Sequence, residues 1–165
     1  ETRRIRIGTQ IAAATASKGV ERSYRIILDE VVSASVLKRN GRATRMQFSL
    51  PVFVQAKDRT AHVSMPAPTL EGGTLRLLLS NSGRLHVTPK TIEARGVGAS
   101  GAVVWTRTFR PWYLLSGEVR HQSAALTPAE CRATVALVAE ATFQESSKLS
   151  LREERKVPAG GCPAR

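Results

Sequence analysis

Apolar residues in this chain recur with a period of two, in short runs cut by Gly, Pro, Asn and Ser. Thr74–Ser80 (TLRLLLS) sets Leu75, Leu77 and Leu79 on one face, and Arg22–Val32 (RSYRIILDEVV) sets Tyr24, Ile26 and Leu28 against Arg25, Ile27 and Asp29. Successive side chains of a strand point to opposite faces, so each run reads as a strand with one face toward a core. Val, Leu, Ile, Thr and Ala carry the apolar load, and with aromatics at 5% the balance favours strands over long amphipathic helices. Turn signals arrive about every 8–12 residues, the rhythm of a sandwich. A hydrophobic content of 42% is enough to build a core. The expected fold class is all-β.

The segment Thr44–Gln55 (TRMQFSLPVFVQ) stands apart from the other runs. Met46, Phe48 and Leu50 share one face, Arg45, Gln47 and Ser49 the other, and the run ends in Val52-Phe53-Val54. Pro51 offers no N–H to a ladder, which assigns the strand to a sheet edge or a bulge. An edge strand with a row of large apolar side chains is suited to binding another chain by strand addition. The bland alternative is an ordinary core-facing strand of a sandwich.

Along the chain, Arg3–Gly8 reads as a short strand, Ile11–Gly19 as a loop, and Ser33–Arg42 as a connection with Asn40-Gly41 as its turn. Polar residues from Ala56, then Met65-Pro-Ala-Pro and Glu71-Gly-Gly, supply the punctuation of a domain boundary, placing one unit at residues 1–56 and a second at 57–165. In the second unit, strands are expected at Leu85–Ala94, Val103–Phe109, Pro111–Leu115 and Glu118–Ala124, with Gly96–Gly101 as a flexible loop. Thr127-Pro128-Ala129-Glu130 matches a helix-capping pattern. The final hairpin is expected to pair Cys131–Phe143 with Lys148–Val157.

Lys and Arg outnumber Asp and Glu by 25 to 13, a formal net charge of +12. A polyanionic partner must therefore be weighed. The charge is spread along strand faces, however, and the tightest cluster, Lys38-Arg39-Asn40-Gly41-Arg42, lacks the interleaved aromatics that stack bases. No specific nucleic-acid binding is expected. No apolar run approaches the roughly 18 residues of a membrane span. The start at Glu1 fits a mature secreted chain or a fragment.

No catalytic or metal site emerges. His62, His86 and His121 share no ligand spacing and read as surface residues. Asp29 and Glu30 are adjacent and so point to opposite faces of a strand. Ser80 and Ser116 lie in turns without a nucleophile elbow. Trp105 and Trp112 read as core or inter-sheet packing. The expectation is a protein without enzymatic activity or cofactor.

Cys131 and Cys162 lack metal-ligand spacing. The last hairpin turns near Glu145 and Ser146, which puts Cys131 opposite a residue close to Ala159, a few positions short of Cys162. Gly160-Gly161 gives the tail freedom to close that gap. Cys131 shares its parity with Val135 and Leu137 and is expected to point inward. A Cys131–Cys162 disulfide follows, which needs an oxidising compartment; the alternative is two unpaired thiols.

The succession ERSYRIILDEV, FSLPVFV, GGTLRLLLSNSGRLHV and WYLLSGEVR resembles the periplasmic pilus-assembly chaperones of the chaperone/usher pathway, the PapD-like family, and looks closest to its archaic spore-coat and Csu-type branch. The resemblance runs from Arg3 to about Val157. It implies two immunoglobulin-like domains, the first reduced to its last three strands (residues 1–56) and the second complete (57–165). It further implies a role in fimbrium biogenesis by donor-strand complementation. Met46, Phe48 and Leu50, with Thr44 before them, would fill the groove of an incomplete fimbrial subunit, which an outer-membrane usher would then receive. The family's anchoring Arg would precede Glu1, and its Lys position falls on Pro51, so no carboxylate anchor carries over; Lys57 and Arg59 lie nearby without a motif. The competing readings are a basic β-module that binds polyanions and a truncated, non-functional chaperone remnant.

Overall fold

A computed structural model of the chain describes residues 19–31, 45–54, 60–144, 149–157 and 162. The chain divides into two compact units, 1–57 and 58–165. The strand expected at Arg3–Gly8, the connection Ser33–Arg42, Lys57, Arg59, the turn at Glu145 and Ser146, and Gly160-Gly161 lie outside the described residues.

In the first unit, β1 (Arg22–Asp29) and β2 (Gln47–Val54) form an antiparallel two-stranded sheet. The second unit is an all-β sandwich of two antiparallel sheets. One sheet centres on β5 (Thr74–Asn81), which pairs with β3 (Val63–Ser64) and β4 (Thr69–Glu71) on one side and β8 (Val119–Ala125) on the other. The other runs β10 (Ser150–Lys156), β9 (Ala136–Phe143), β6 (Pro89–Val97), β7 (Val103–Thr108). The chain changes sheet between β5 and β6, between β7 and β8, and between β8 and β9, the crossing connectivity of an immunoglobulin-like sandwich.

Period-two burial builds the core. Leu75, Leu77 and Leu79 of β5 are buried in one cluster with Ile92 and Ala94 of β6, Trp105 of β7, and Leu137, Ala139, Ala141 and Phe143 of β9. Local chemistry explains the joints. Met65-Pro66-Ala67-Pro68 splits one edge strand into β3 and β4, because neither proline can donate to β5. Gly72 and Gly73 both take positive φ, 56° and 80°, the pair of left-handed residues that a two-residue hairpin turn demands. Asn81 is buried yet satisfied. Its Nδ2 donates to the carbonyls of Leu85 (2.7 Å) and Leu114 (3.1 Å), and its Oδ1 accepts from the Gly83 amide (3.0 Å).

Five sequence expectations are corrected here. The strand expected over Leu85–Ala94 starts at Pro89 instead, since proline is tolerated as a first strand residue; Val87 bridges singly to Leu114. Pro111–Leu115 is accordingly not a strand, and only Leu114 pairs. Gly96 and Val97, read as loop, continue β6 opposite Trp105 and Val103. Gly96 is there because of close approach: a Cβ on it would lie 2.2 Å from the Trp105 Nε1. Ser80, read both as the last residue of the strand Thr74–Ser80 and as a turn residue, is in β5, where its hydroxyl meets that of Ser64 at 2.7 Å.

Cys131 is the fifth. It belongs to the helix α1 (Pro128–Ala133) rather than to a hairpin strand, and Val135, expected to share its inward parity, is exposed. Thr127 and Glu130 form a reciprocal capping box that starts the helix at Pro128, ahead of β9 at Ala136. The disulfide itself is present: Cys131 and Cys162 are bonded, with Cα atoms 5.7 Å apart. Trp105 ties α1 to the sheet, its Nε1 donating to the Thr134 hydroxyl at 2.8 Å, while Thr134 in turn donates to the Glu130 carbonyl.

Three outcomes follow for the second unit. The disulfide closes a loop of sequence separation 31, so replacing both cysteines by Ser should lower unfolding free energy by roughly 3–4 kcal/mol in urea denaturation. Gly96→Ala should cost about 1–3 kcal/mol, because the new methyl must displace the Trp105 ring or the strand. The third concerns pH. Hydrogen bonds from the Thr127 backbone N–H, and then from Arg107, hold the Glu130 carboxyl below the ordinary carboxylate range. A depressed folded-state value means that its contribution is complete above the unfolded value, about 4.3, and is lost as pH falls through the folded one. Wild type should therefore lose stability on acidification that Glu130→Gln does not, read as converging melting temperatures at low pH.

Candidate functional site

The β1–β2 ladder sets the geometry of the expected binding strand. Its register pairs Leu28 with Phe48, Ile26 with Leu50 and Tyr24 with Val52. Directly opposed residues share a face, so Tyr24, Ile26 and Leu28 join Met46, Phe48, Leu50 and Val52 in one apolar surface. Met46, Phe48 and Leu50 are 53%, 54% and 43% exposed, and Tyr24 is 53% exposed. They are not the buried row of an ordinary sandwich strand. Thr44 lies outside the described residues.

The opposite face is polar and hydrogen-bonded. Arg25 Nη1 donates to the Ser49 hydroxyl at 2.9 Å, Gln47 Nε2 donates to Asp29 Oδ1 at 2.7 Å, and Arg45 lies 3.4 Å from the same carboxylate. Ile27, Pro51 and Phe53 are the apolar exceptions there. At the open end of the ladder the Glu30 amide donates to the Met46 carbonyl at 2.9 Å, and the Glu30 carboxylate accepts the Met46 amide at 3.1 Å. These cross-strand contacts fix which way Met46, Phe48 and Leu50 face.

The same hydrogen bonds locate Pro51. Because the Met46 carbonyl points at β1, the main-chain groups of Phe48, Leu50 and Val52 do so as well, and those of Gln47, Ser49 and Pro51 point away. The missing N–H of Pro51 therefore falls on the outer edge of β2 and leaves the ladder with β1 intact. Among the described residues no strand pairs with that outer edge. A chain adding there meets the main-chain groups of Gln47 and Ser49, then a carbonyl without a companion donor at Pro51.

Sequence reasoning found Met46, Phe48 and Leu50 but treated Tyr24, Ile26 and Leu28 as a separate strand. Their common parity was visible in the sequence. Their partnership with β2 needed the register.

Among the described residues no group of His, Cys, Asp and Glu is placed to hold a metal ion. No helix is long and apolar enough to cross a membrane, again among the described residues. Many arginines are engaged by carboxylates. Arg107 Nη2 donates to both carboxylate oxygens of Glu130 (2.8 and 2.9 Å), Arg95 meets Glu140 at 2.6 Å, and Arg152 and Arg120 pair with Glu140 and Glu118. Trp105 is buried as expected, but Trp112, expected to pack inside, is 43% exposed. Phe109 and Leu114 take the core positions on either side of it, which leaves the segment between them on the surface. Compared with known proteins, the chain matches no family model and no curated sequence.

Proposed function

We propose that this chain is a binding module that captures a partner polypeptide by strand addition at β2, and that its partner is an incomplete immunoglobulin-like fimbrial subunit, as in the pilus-assembly chaperones that the sequence resembles. The observation that carries the reading is the row Met46, Phe48, Leu50, about half exposed and alternating on an edge strand whose other face is fixed by polar contacts. Backbone pairing along the outer edge supplies sequence-tolerant affinity, and each large side chain buried in a subunit groove adds about 1.5–3 kcal/mol. The disulfide suits an oxidising compartment, which supports a periplasmic site of action and delivery to an outer-membrane usher. The competing polyanion reading is disfavoured by the carboxylates that already neutralise Arg95, Arg107, Arg120 and Arg152.

The test is co-purification with a co-expressed fimbrial subunit. Phe48→Glu places a charge in the middle of the apolar row and should abolish capture while the second unit keeps its cooperative melting transition. Capture by wild type should vary little with salt, whereas phosphate neutralisation would give a steep linear fall of log affinity with log salt. Undiminished capture by Phe48→Glu would refute the proposal.

A further inference from the structure

The exposure of Trp112 marks a second surface, wholly within the second unit and unrelated to the β2 edge. An open cavity of about 430 Å³ is lined by Arg110, Trp112, Arg120 and Gln122. Its volume falls in the range of small-molecule sites, roughly 300–1,000 Å³. Arg110 and Trp112 come from the connection between β7 and β8, while Arg120 and Gln122 alternate on β8.

The walls are held in place. Buried Phe109 and Leu114 bracket the connection, each through main-chain bonds, Phe109 to Ile92 and Leu114 to Val87. The Leu115 amide donates to Glu118 Oε2 (2.7 Å), Glu118 Oε1 pairs with Arg120 Nη2, and Arg120 Nη1 donates to the Trp112 carbonyl (3.1 Å). This relay from Leu115 back to Trp112 fastens the connection to β8. It also uses up the charge of Arg120.

Two polar groups at the cavity are left over. Arg110 stacks its guanidinium 5.8 Å from the centre of the Trp112 ring and has no carboxylate partner among the described residues. Gln122 is half-buried, and among the described residues none hydrogen-bonds its side chain. The available chemistry is thus one uncompensated cation with a planar fork of donors, one amide that can donate and accept, and an aromatic edge and face.

We infer that this cavity binds a small ring-shaped molecule bearing a single carboxylate, with Arg110 pairing the carboxylate, Trp112 packing against the ring and Gln122 hydrogen-bonding a ring substituent. Among the described residues that line the cavity, the one free cation matches one negative charge. A polyphosphate would call for several cations, and a nucleic-acid strand for successive aromatic platforms, where this site has one exposed tryptophan. The ring can be a sugar acid or an aromatic acid, since both offer the same pairing.

Trp112 itself supplies the readout. The full chain is titrated with glucuronate and with benzoate while tryptophan fluorescence is followed, and in parallel with glucose, benzyl alcohol and ATP. At least one acid should give a saturable change, and the tighter of the two identifies the ring. The neutral counterpart should bind about tenfold more weakly, and Arg110→Gln should weaken the acid by a similar factor. Trp112→Phe should lose the signal, because the other tryptophan, Trp105, is buried, and an unchanged unfolding midpoint shows that variant to be folded. Arg155→Gln, an exposed change on β10, should bind as wild type does. The inference is overturned by no saturable response to either acid, by ATP binding more tightly than both, by neutral compounds binding equally well, or by an Arg110→Gln variant of unaltered affinity.

Discussion

The second unit depends on one constraint: two sheets must bury their facing rows in each other, because neither sheet alone can remove its apolar face from water. Leu75, Leu77 and Leu79 supply one row, and Ile92, Ala94, Leu137, Ala139, Ala141 and Phe143 the other. Leucines on β5 and alanines on β6 and β9 mix large and small residues across the core, which lets the rows interdigitate at native density. The cavity beside Trp112 is displayed from that frame. The Arg110–Tyr113 segment reaches the surface because Phe109 and Leu114 are drawn into the same core at its two ends.

Around that core, polar groups are arranged so that few are stranded. The α1 corner shows how one position constrains the next. Gly96 admits the Trp105 ring, Trp105 holds Thr134, Thr134 bonds back to Glu130, and Glu130 both caps the helix and binds Arg107. The guanidinium of Arg107 also lies 5.6 Å from the Trp105 ring centre, which closes the loop. The disulfide from Cys131 then joins the chain's last described residue to this corner. Such a closed set of contacts behaves cooperatively, so a change at any member is felt by the others.

The first unit presents the opposite situation. Its two described strands carry an apolar face that stays about half exposed, and a polar face whose hydrogen bonds determine the orientation of the first. A surface of this kind gains most from an occupant that supplies both a strand for the edge and a groove for the side chains. Pro51 limits how far that strand can pair, because its missing donor lies on the outer edge. In the proposed complex, sequence-tolerant pairing up to Ser49 and side-chain fit at Phe48 and Leu50 would act over the same few residues.

Much of this was legible in the sequence because strand periodicity is local. Leu75, Leu77 and Leu79, the apolar row of β2 and the Thr127–Glu130 cap each depend on residues within a few positions of one another, and side chains alternate whatever the rest of the chain does. The disulfide was reached as well, although by a strand geometry that the helix α1 replaces. What the sequence could not settle were the pairings made across long separations. Gly96 read as a loop residue because nothing nearby announces the Trp105 ring that needs its missing side chain. Trp112 read as core because its size favours burial, and only the competition with Phe109 and Leu114 for interior space placed it outside. Tyr24, Ile26 and Leu28 became part of the β2 surface through register alone, and a register is a choice between whole strands that no single residue encodes. Local chemistry therefore determined the elements and their faces, while tertiary packing decided which faces meet, because burial is shared among residues that the sequence keeps far apart.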